Sequence, residues 1–511
     1  MMNSKFLFLV AALLLAAGCK PKTQPVDGEK NPAPIATASS SAPVTFPCLN
    51  APAVNYNTPG DTPITSQDGV NCFAWQTFIG LNWQVDASSA GQPDKTVPAA
   101  DFGEPGTTQT SVWETYANSK IIFRANAEPP LPWGQQPDAP ASCKKIAQEK
   151  GLRVMQASRM PGSFNMTEEA SQAFPGNNPN WLADKNGNLV YYEILVGKSE
   201  YDYINANGLY NANLQAEHIK QHKNIVMPMG HDNVQGGLEI KAAWLSVSDP
   251  QNPKWSRYKT SSAVIYDPVS LSCSTSVIAL VGMHIIHKTA SQPQWIWATF
   301  EHKDNAPDTA AIKTDGTVEG DYTFYNNSCT VQSVPAACKP KMMNGIAVTQ
   351  TSCAANVSPA YYLDNTGNCP AYPVRVSRDF PIKDTTSNHV ASLNRAAQQM
   401  IANANRDSVF AHYQLVNVLW SSAAVNDNEP PGNPPVTPLS ISGETPSLNT
   451  VPVANTMLES YAQGFNCLSC HAYASVAKDA KLQLDGKSYA TDYSFIFGFA
   501  NKPATNTATE K

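Results

Sequence analysis

The sequence predicts an α+β fold, a large β-rich domain with peripheral helices and disulfides, followed by a short helical C-terminal segment. Three observations predict it. The middle of the chain is a succession of apolar, β-branched runs separated by turn residues. Forty Pro in 511 residues, with many Asn, impose frequent turns and long loops that a helical bundle does not need. Eleven Cys follow an export-type leader, which points to an oxidising compartment. Apolar residues make up 42% and charged residues 15%, so the chain has a sizeable core under a lightly charged surface. A net charge of −6 without any Lys/Arg cluster argues against nucleic acid as a partner.

Residues 1–18 read as a lipoprotein signal peptide. Lys5 precedes an apolar run from Phe6 to Ala17, too short for a membrane span, and small residues lead up to Cys19. Ala16-Ala17-Gly18-Cys19 resembles a bacterial lipobox, which implies a lipidated Cys19 as the first mature residue. Lys20 is not the Asp that usually retains lipoproteins at the inner membrane. The expected address is therefore the periplasmic side of the outer membrane, or the cell surface, with the lipid anchor as the membrane contact. Residues 19–46, rich in Pro, Ser, Thr, Ala and Lys, read as a flexible tether.

The large α+β domain is expected over residues 47–425. Residues 71–85 are apolar on nearly every side and long enough for a buried helix. Trp113 to Tyr116 read as a second, short helix, and residues 125–185 as loop with short helical pieces. Asn186-Gly187 is a hairpin-type turn before a strand over 188–197. Tyr201 to Lys220 read as helical. Strands are expected at 237–247, 257–267, 277–287 and 294–302. Residues 306–385 read as a disulfide-stapled excursion, 390–404 as a helix and 411–420 as a strand. Residues 426–453, with seven Pro, form a connection to the last segment, 454–511. There Asn455-Thr456 offers a helix N-cap for Met457 to Gln463.

That last segment contains Cys467-Leu468-Ser469-Cys470-His471, the attachment signature of a c-type haem. Two thiols at this spacing add to the two haem vinyl groups, and the adjoining His becomes an axial iron ligand. A zinc site needs a second ligand pair; no other C-x-x-C accompanies this one, and His218 and His222, at i,i+4 spacing, lie in a polar stretch, EHIKQHKN, that reads as a solvated helix face. The reading assigns Cys467 and Cys470 to covalent haem c, one per chain, and His471 to the iron. Removing Cys19, Cys467 and Cys470 from the count leaves eight Cys, enough for four disulfides. Among the many connectivities, Cys48 with Cys72 and Cys353 with Cys369 are the plausible local pairs.

No Met and no His follows His471, so a second iron ligand must come from upstream. His284, His287 and His302 lie in the most aromatic strands, near Trp295 and Trp297. Strand alternation points His284 and His287 to opposite faces, so one of them at most meets a given haem. A core His bonded to backbone or carboxylate is the competing reading for each of the three. Trp295 and Trp297 share a strand face and suit either core packing or electron relay.

The motif resembles that of a c-type cytochrome over the last tenth of the chain. The combination CFAWQTFIGLNW, VGMHIIHKT, QWIWATFEHKDN, NTMLESY, CLSCH and DYSFIF resembles a larger group, the bacterial "cytochrome c family" lipoproteins with one C-terminal CxxCH. What the resemblance carries over is limited to Cys467, Cys470 and His471. Two functions follow as expectations. One is electron transfer with a redox partner protein. The other is a haem enzyme, peroxidase- or oxygenase-like, acting on a small-molecule substrate, with the large domain forming an open distal site.

Overall fold

A computed structural model describes residues 45–504, except 138, 157–180, 222, 268–271, 331–333, 335, 337, 344–345, 348–352, 362, 364–368, 370, 422–451, 466, 472–473, 485 and 487–488. The signal peptide, Cys19, nearly all of the tether and most of the Pro-rich connection lie outside these residues. In chain order the elements are α1 (Gln67–Leu81), β1 (Ala117–Asn118), α2 (Ser119–Ile122), α3 (Ala141–Lys150), β2 (Arg153–Gln156), β3 (Val190–Val196), α4 (Lys198–Ala206), α5 (Ala212–Lys220), β4 (Leu238–Val247), β5 (Thr260–Asp267), β6 (Ser272–His287), β7 (Ile296–His302), β8 (Met342–Met343), β9 (Ile346–Ala347), α6 (Val390–Ala404), β10 (Tyr413–Leu419), α7 (Cys467–His471) and α8 (Lys478–Leu484). The class is α+β.

The main sheet has eight strands in the order β1-β3-β4-β6-β5-β2, with β7 on the other half of β6 and β10 beyond β7. Only β2–β5 is parallel; the other pairings of this sheet are antiparallel. The 16-residue β6 serves two neighbours on one edge, pairing β5 through 272–279 and β7 through 282–287. Between these halves its register against β4 slips at Ala243/Trp244, a bulge that bends the strand. The sheet curls enough that Arg153 of β2 reaches Glu193 of β3 at 2.5 Å across three intervening strands. Glu114 and Lys259 complete that buried ion network, and the guanidinium lies 4.5 Å over the Trp244 ring.

Side chains alternate along each strand, so the sheet has two faces with different covers. One is covered by α1 and α6. Ser66 caps α1 by accepting from Gly69 N at 3.1 Å. Phe78 of α1 stacks on Phe300 with centroids 4.3 Å apart, and Trp75 Nε1 donates to Asn394 of α6 at 3.0 Å. Val390, Leu393, Asn394, Ala397 and Ile401 form the buried stripe of α6, spaced as one helical face. The other face is covered by α4, α5 and the C-terminal segment. Leu468, Val476, Ala480, Ile496 and Phe497 share a core with Val196, Ile204, Ala216, Ile286 and Trp297. No helix among the described residues is long and apolar enough to cross a membrane.

The eight Cys from Cys48 to Cys369 pair, as Cys48–Cys72, Cys143–Cys273, Cys329–Cys353 and Cys338–Cys369. The expected Cys48–Cys72 pair is present. Cys353–Cys369 is replaced by two crossed local pairs, because the excursion folds back and brings Cys369 against Cys338. The single helical stretch expected from Tyr201 to Lys220 is two helices. Gly208, at φ +67, supplies a left-handed turn between α4 and α5. Arg153–Gln156, expected as loop, is a strand, held by a parallel partner far away in sequence. Met457 to Gln463 form successive turns rather than a helix.

His287 packs 5.5 Å from Phe73 of α1, is 1% exposed, and neither ring nitrogen has a hydrogen bond among the described residues. Burial depresses its pKa from 6.5 to about 4, with Asp61 opposing weakly. A depressed His pKa makes the unfolded chain bind more protons, so stability is complete above pH 6.5 and falls as pH drops towards 4. His287→Leu is expected to remove about 2 kcal/mol of the wild-type stability loss between pH 6.5 and pH 5 in urea titrations. An equal loss in both proteins would contradict this.

Candidate functional site

Successive strands of the sheet place Lys241 of β4 opposite His284 of β6, and His284 opposite Thr299 of β7. Two residues along, Glu239 lies opposite Ile286, and Ile286 opposite Trp297. The face away from α1 and α6 is thus polar in its middle, where an apolar sheet face would be expected. Buried polar groups need partners, and the C-terminal segment supplies them.

The segment docks first through β7. Asn455 Nδ2 donates to Thr299 Oγ1 at 3.0 Å and to Phe300 O at 2.7 Å. Thr456 donates from N and Oγ1 to Glu301 Oε2, at 2.9 and 2.6 Å. The other oxygen of Glu301, a fully buried carboxylate, accepts from Arg378. Gly282 permits this approach, since a Cβ there would come within 2.8 Å of Asn455 Oδ1 and 3.1 Å of the Met457 Cβ. Glu459 then reaches down to His284, with Oε1 to Nε2 at 2.8 Å, while Oε2 accepts from Asn455 N at 2.9 Å. Burial pushes the Glu459 carboxyl up, but His284 and Lys241 outweigh it and hold it below the usual carboxylate range. Lys241 is half-buried; burial lowers its pKa against the charges of Glu459 and Cys467, and its ammonium lies 5.7 Å over the Tyr192 ring. Among the described residues, neither Lys241 Nζ nor His284 Nδ1 makes a hydrogen bond.

The helix α7 carries Cys467 and Cys470 into His471. The His471 ring lies 4.6 Å from Trp297 and 4.9 Å from Phe495. Nδ1 donates to Tyr493 O at 2.8 Å, and Nε2 has no hydrogen bond among the described residues. Burial depresses the His471 pKa to about 4; the Tyr493 carbonyl opposes this, and nearby His284 and Lys241 reinforce it. The imidazole is therefore neutral at pH 7.

The segment 491–494 that presents the Tyr493 carbonyl is bent. Asp492 and Tyr493 sit at φ +52 and +66, a region that costs a bulky side chain about 1–2 kcal/mol. The Asp492 carboxylate accepts from Lys288 Nζ at 2.8 and 2.9 Å and from Met227 N at 2.7 Å. Glu239 and Glu200 lie near one another in the same core; burial, with the like charge of Glu239, pushes the Glu200 carboxyl well up, and burial raises Glu239.

Of the residues singled out from sequence, Cys467, His471 and His284 come together around Lys241, and the Cys470 side chain lies outside the described residues. His287 faces α1 on the opposite side of the sheet. His302 stacks on Tyr258 at 3.6 Å, with Nε2 on Arg257 O at 2.9 Å and Nδ1 accepting from Asp304 N at 3.1 Å. Both its nitrogens are occupied away from the segment. Trp297 touches His471, whereas Trp295 donates to Asp492 at 3.3 Å. Lys241, Glu459, Lys288 and Asp492 were not anticipated. A polar residue inside each apolar strand, Lys241 in GLEIKAAWLSV above all, was the available signal.

Among the described residues, no group of three His, Cys, Asp or Glu side chains is placed to hold a metal ion. No family model, characterised protein or solved structure matches the chain.

Glu301→Ala is expected to destabilise the protein by about 3 kcal/mol, because Arg378 loses a buried counter-charge. Amide exchange over 453–471 rises with it. Unchanged exchange there would show that the segment docks without Glu301.

Proposed function

We propose that this chain is an exported, lipid-anchored c-type cytochrome that holds one covalent haem and transfers electrons. The observation that carries the reading is the state of His471. Directly after a Cys-x-x-Cys pair stands a neutral imidazole, fixed through Nδ1 by a backbone carbonyl and walled by two aromatic rings. Its Nε2 has no hydrogen bond among the described residues. The donor types fit haem c: the thiols of Cys467 and Cys470 would attach it, and His471 Nε2 would ligate its iron. When bound, the haem supplies a one-electron couple at iron.

The chain's own residues do the rest. The Tyr493 carbonyl selects the His471 tautomer and raises the basicity of the ligating nitrogen. Burial excludes the proton that would compete for that nitrogen. Trp297, 3% exposed, packs on the His471 ring and is the relay we assign between the site and the sheet. The four disulfides support an export route, the compartment in which this type of attachment takes place. The redox partner is a protein met at the periplasmic face of the outer membrane or at the cell surface, reached from the lipid anchor on Cys19.

One observation favours a second reading, a haem enzyme of peroxidase or oxygenase type. His284 is oriented by Glu459 through Nε2 and keeps Nδ1 open, the arrangement of a carboxylate-steered acid/base. Lys241 beside it favours an anionic ligand. The two readings differ in what His284 would do: in the first its open Nδ1 would be available to the iron, and in the second it would handle protons.

The test uses the full-length protein matured in an exporting host that attaches c-type haem. Wild type is expected to give one haem c per chain by pyridine haemochrome, and Cys467→Ala/Cys470→Ala none. A wild-type chain without haem would sink both readings. A low-spin ferric spectrum indifferent to CO supports electron transfer, and high-spin iron that binds CO supports the enzyme.

A further inference from the structure

Lys288 is fully buried, yet its ammonium is held by Asp492 and by Pro293 O at 2.8 Å. Asp492 is also buried, its carboxylate accepting in addition from Met227 N and from Trp295 Nε1. Three separate stretches, 227, 288 and 295, thus converge on one carboxylate from the C-terminal segment. A buried ion pair of this kind contributes little net stability over an apolar pair of the same size. What it does supply is a fixed position.

That position is one residue from the carbonyl that holds His471. The pair φ +52, +66 puts two successive residues, Asp492 and Tyr493, in the left-handed region. An Asp tolerates such a conformation; a Tyr adopts it only when its surroundings impose it. The grip on Asp492 imposes it. The carbonyl that results accepts from His471 Nδ1 at 2.8 Å.

We infer that Asp492, clamped by Lys288, is the positioning residue for His471, acting through the Tyr493 carbonyl to fix the plane and the donor strength of the imidazole. The inference rests on the haem reading of His471. Asp492 touches neither iron nor substrate in this role. Loss of its grip lets the 491–494 turn relax, weakens the Nδ1–H···O=C bond and makes His471 a poorer donor. A poorer donor stabilises ferric iron less, so the potential rises.

The test compares wild type, Asp492→Asn and the charge-balanced Lys288→Met/Asp492→Asn, each full length and matured with haem. The double variant guards against a chain that fails to fold around an unpaired buried ammonium. A packing control, Trp181→Phe in the core shared with Tyr361 and Tyr372 of the disulfide excursion, lowers stability without touching residues 491–494. Haem content by pyridine haemochrome is expected to stay at one per chain in all of them, because the thiols are untouched. The Asp492 variants are expected to show a raised midpoint potential and altered ferric EPR g-anisotropy, which reads the imidazole orientation. The control is expected to show a lowered melting temperature alone. Wild-type potential and g-values in both Asp492 variants would overturn the inference and leave Asp492 a merely structural residue. Absence of haem from wild type would instead refute the haem reading and is separately visible in the haemochrome assay.

Discussion

Two buried charges on one side of the sheet, Glu301 on β7 and Lys288 just after β6, constrain everything C-terminal to the Pro-rich connection. Each needs a counter-group that the sheet cannot provide from its own strands. Arg378 and Thr456 answer Glu301, and Asp492 answers Lys288. Because Thr456 and Asp492 flank residues 457–491, pinning both ends places α7 over Trp297 and Glu459 over His284. The candidate site is thus assembled by the burial requirement of charges that do not belong to it.

The same requirement explains why the sheet has unequal faces. The face towards α1 and α6 closes with aromatic packing around Phe78 and Phe300, and an embedded ion network, Arg153 with Glu114 and Glu193, ties the two ends of the curled sheet together. The opposite face is interrupted by Glu239, Lys241, His284 and Glu301. Apolar packing alone would leave the C-terminal segment free to slide along the sheet, since dispersion contacts are undirected. Charge-assisted bonds have direction, and they fix the segment against β6 and β7.

Period-2 and period-3.6 patterns made the local elements legible, and β3, β4, β5, β6, β7, α1 and α6 lie close to where those patterns put them. Non-local pairings were not legible. The strand β2 exists because β5 lies beside it, and its four residues carry no period of their own. Cys369 chose Cys338 over Cys353 because of how the excursion folds back, which spacing does not encode. The turns at 457–463 carry a good N-cap in Asn455, but Asn455 and Glu459 spend their hydrogen bonds on β7, on each other and on His284 instead of propagating a helix. At the site, the Cys-x-x-Cys-His string announced itself, and the opposite-face placement of His284 and His287 followed from alternation. Lys241, Glu459, Lys288 and Asp492 escaped notice because a charged residue in a strand or a turn signals a need for a partner without saying which residue meets it.

The central claim is that Cys467 and Cys470 carry haem with His471 as its ligand. The most direct measurement is tryptic peptide mass mapping of wild type purified from an exporting, haem-attaching host. No Lys or Arg lies between Arg406 and Lys478, so residues 407–478 form one peptide. That peptide is expected to carry the added mass of one haem on its two cysteines. The same peptide with no added haem, its two cysteines free or joined only to each other, would contradict the claim.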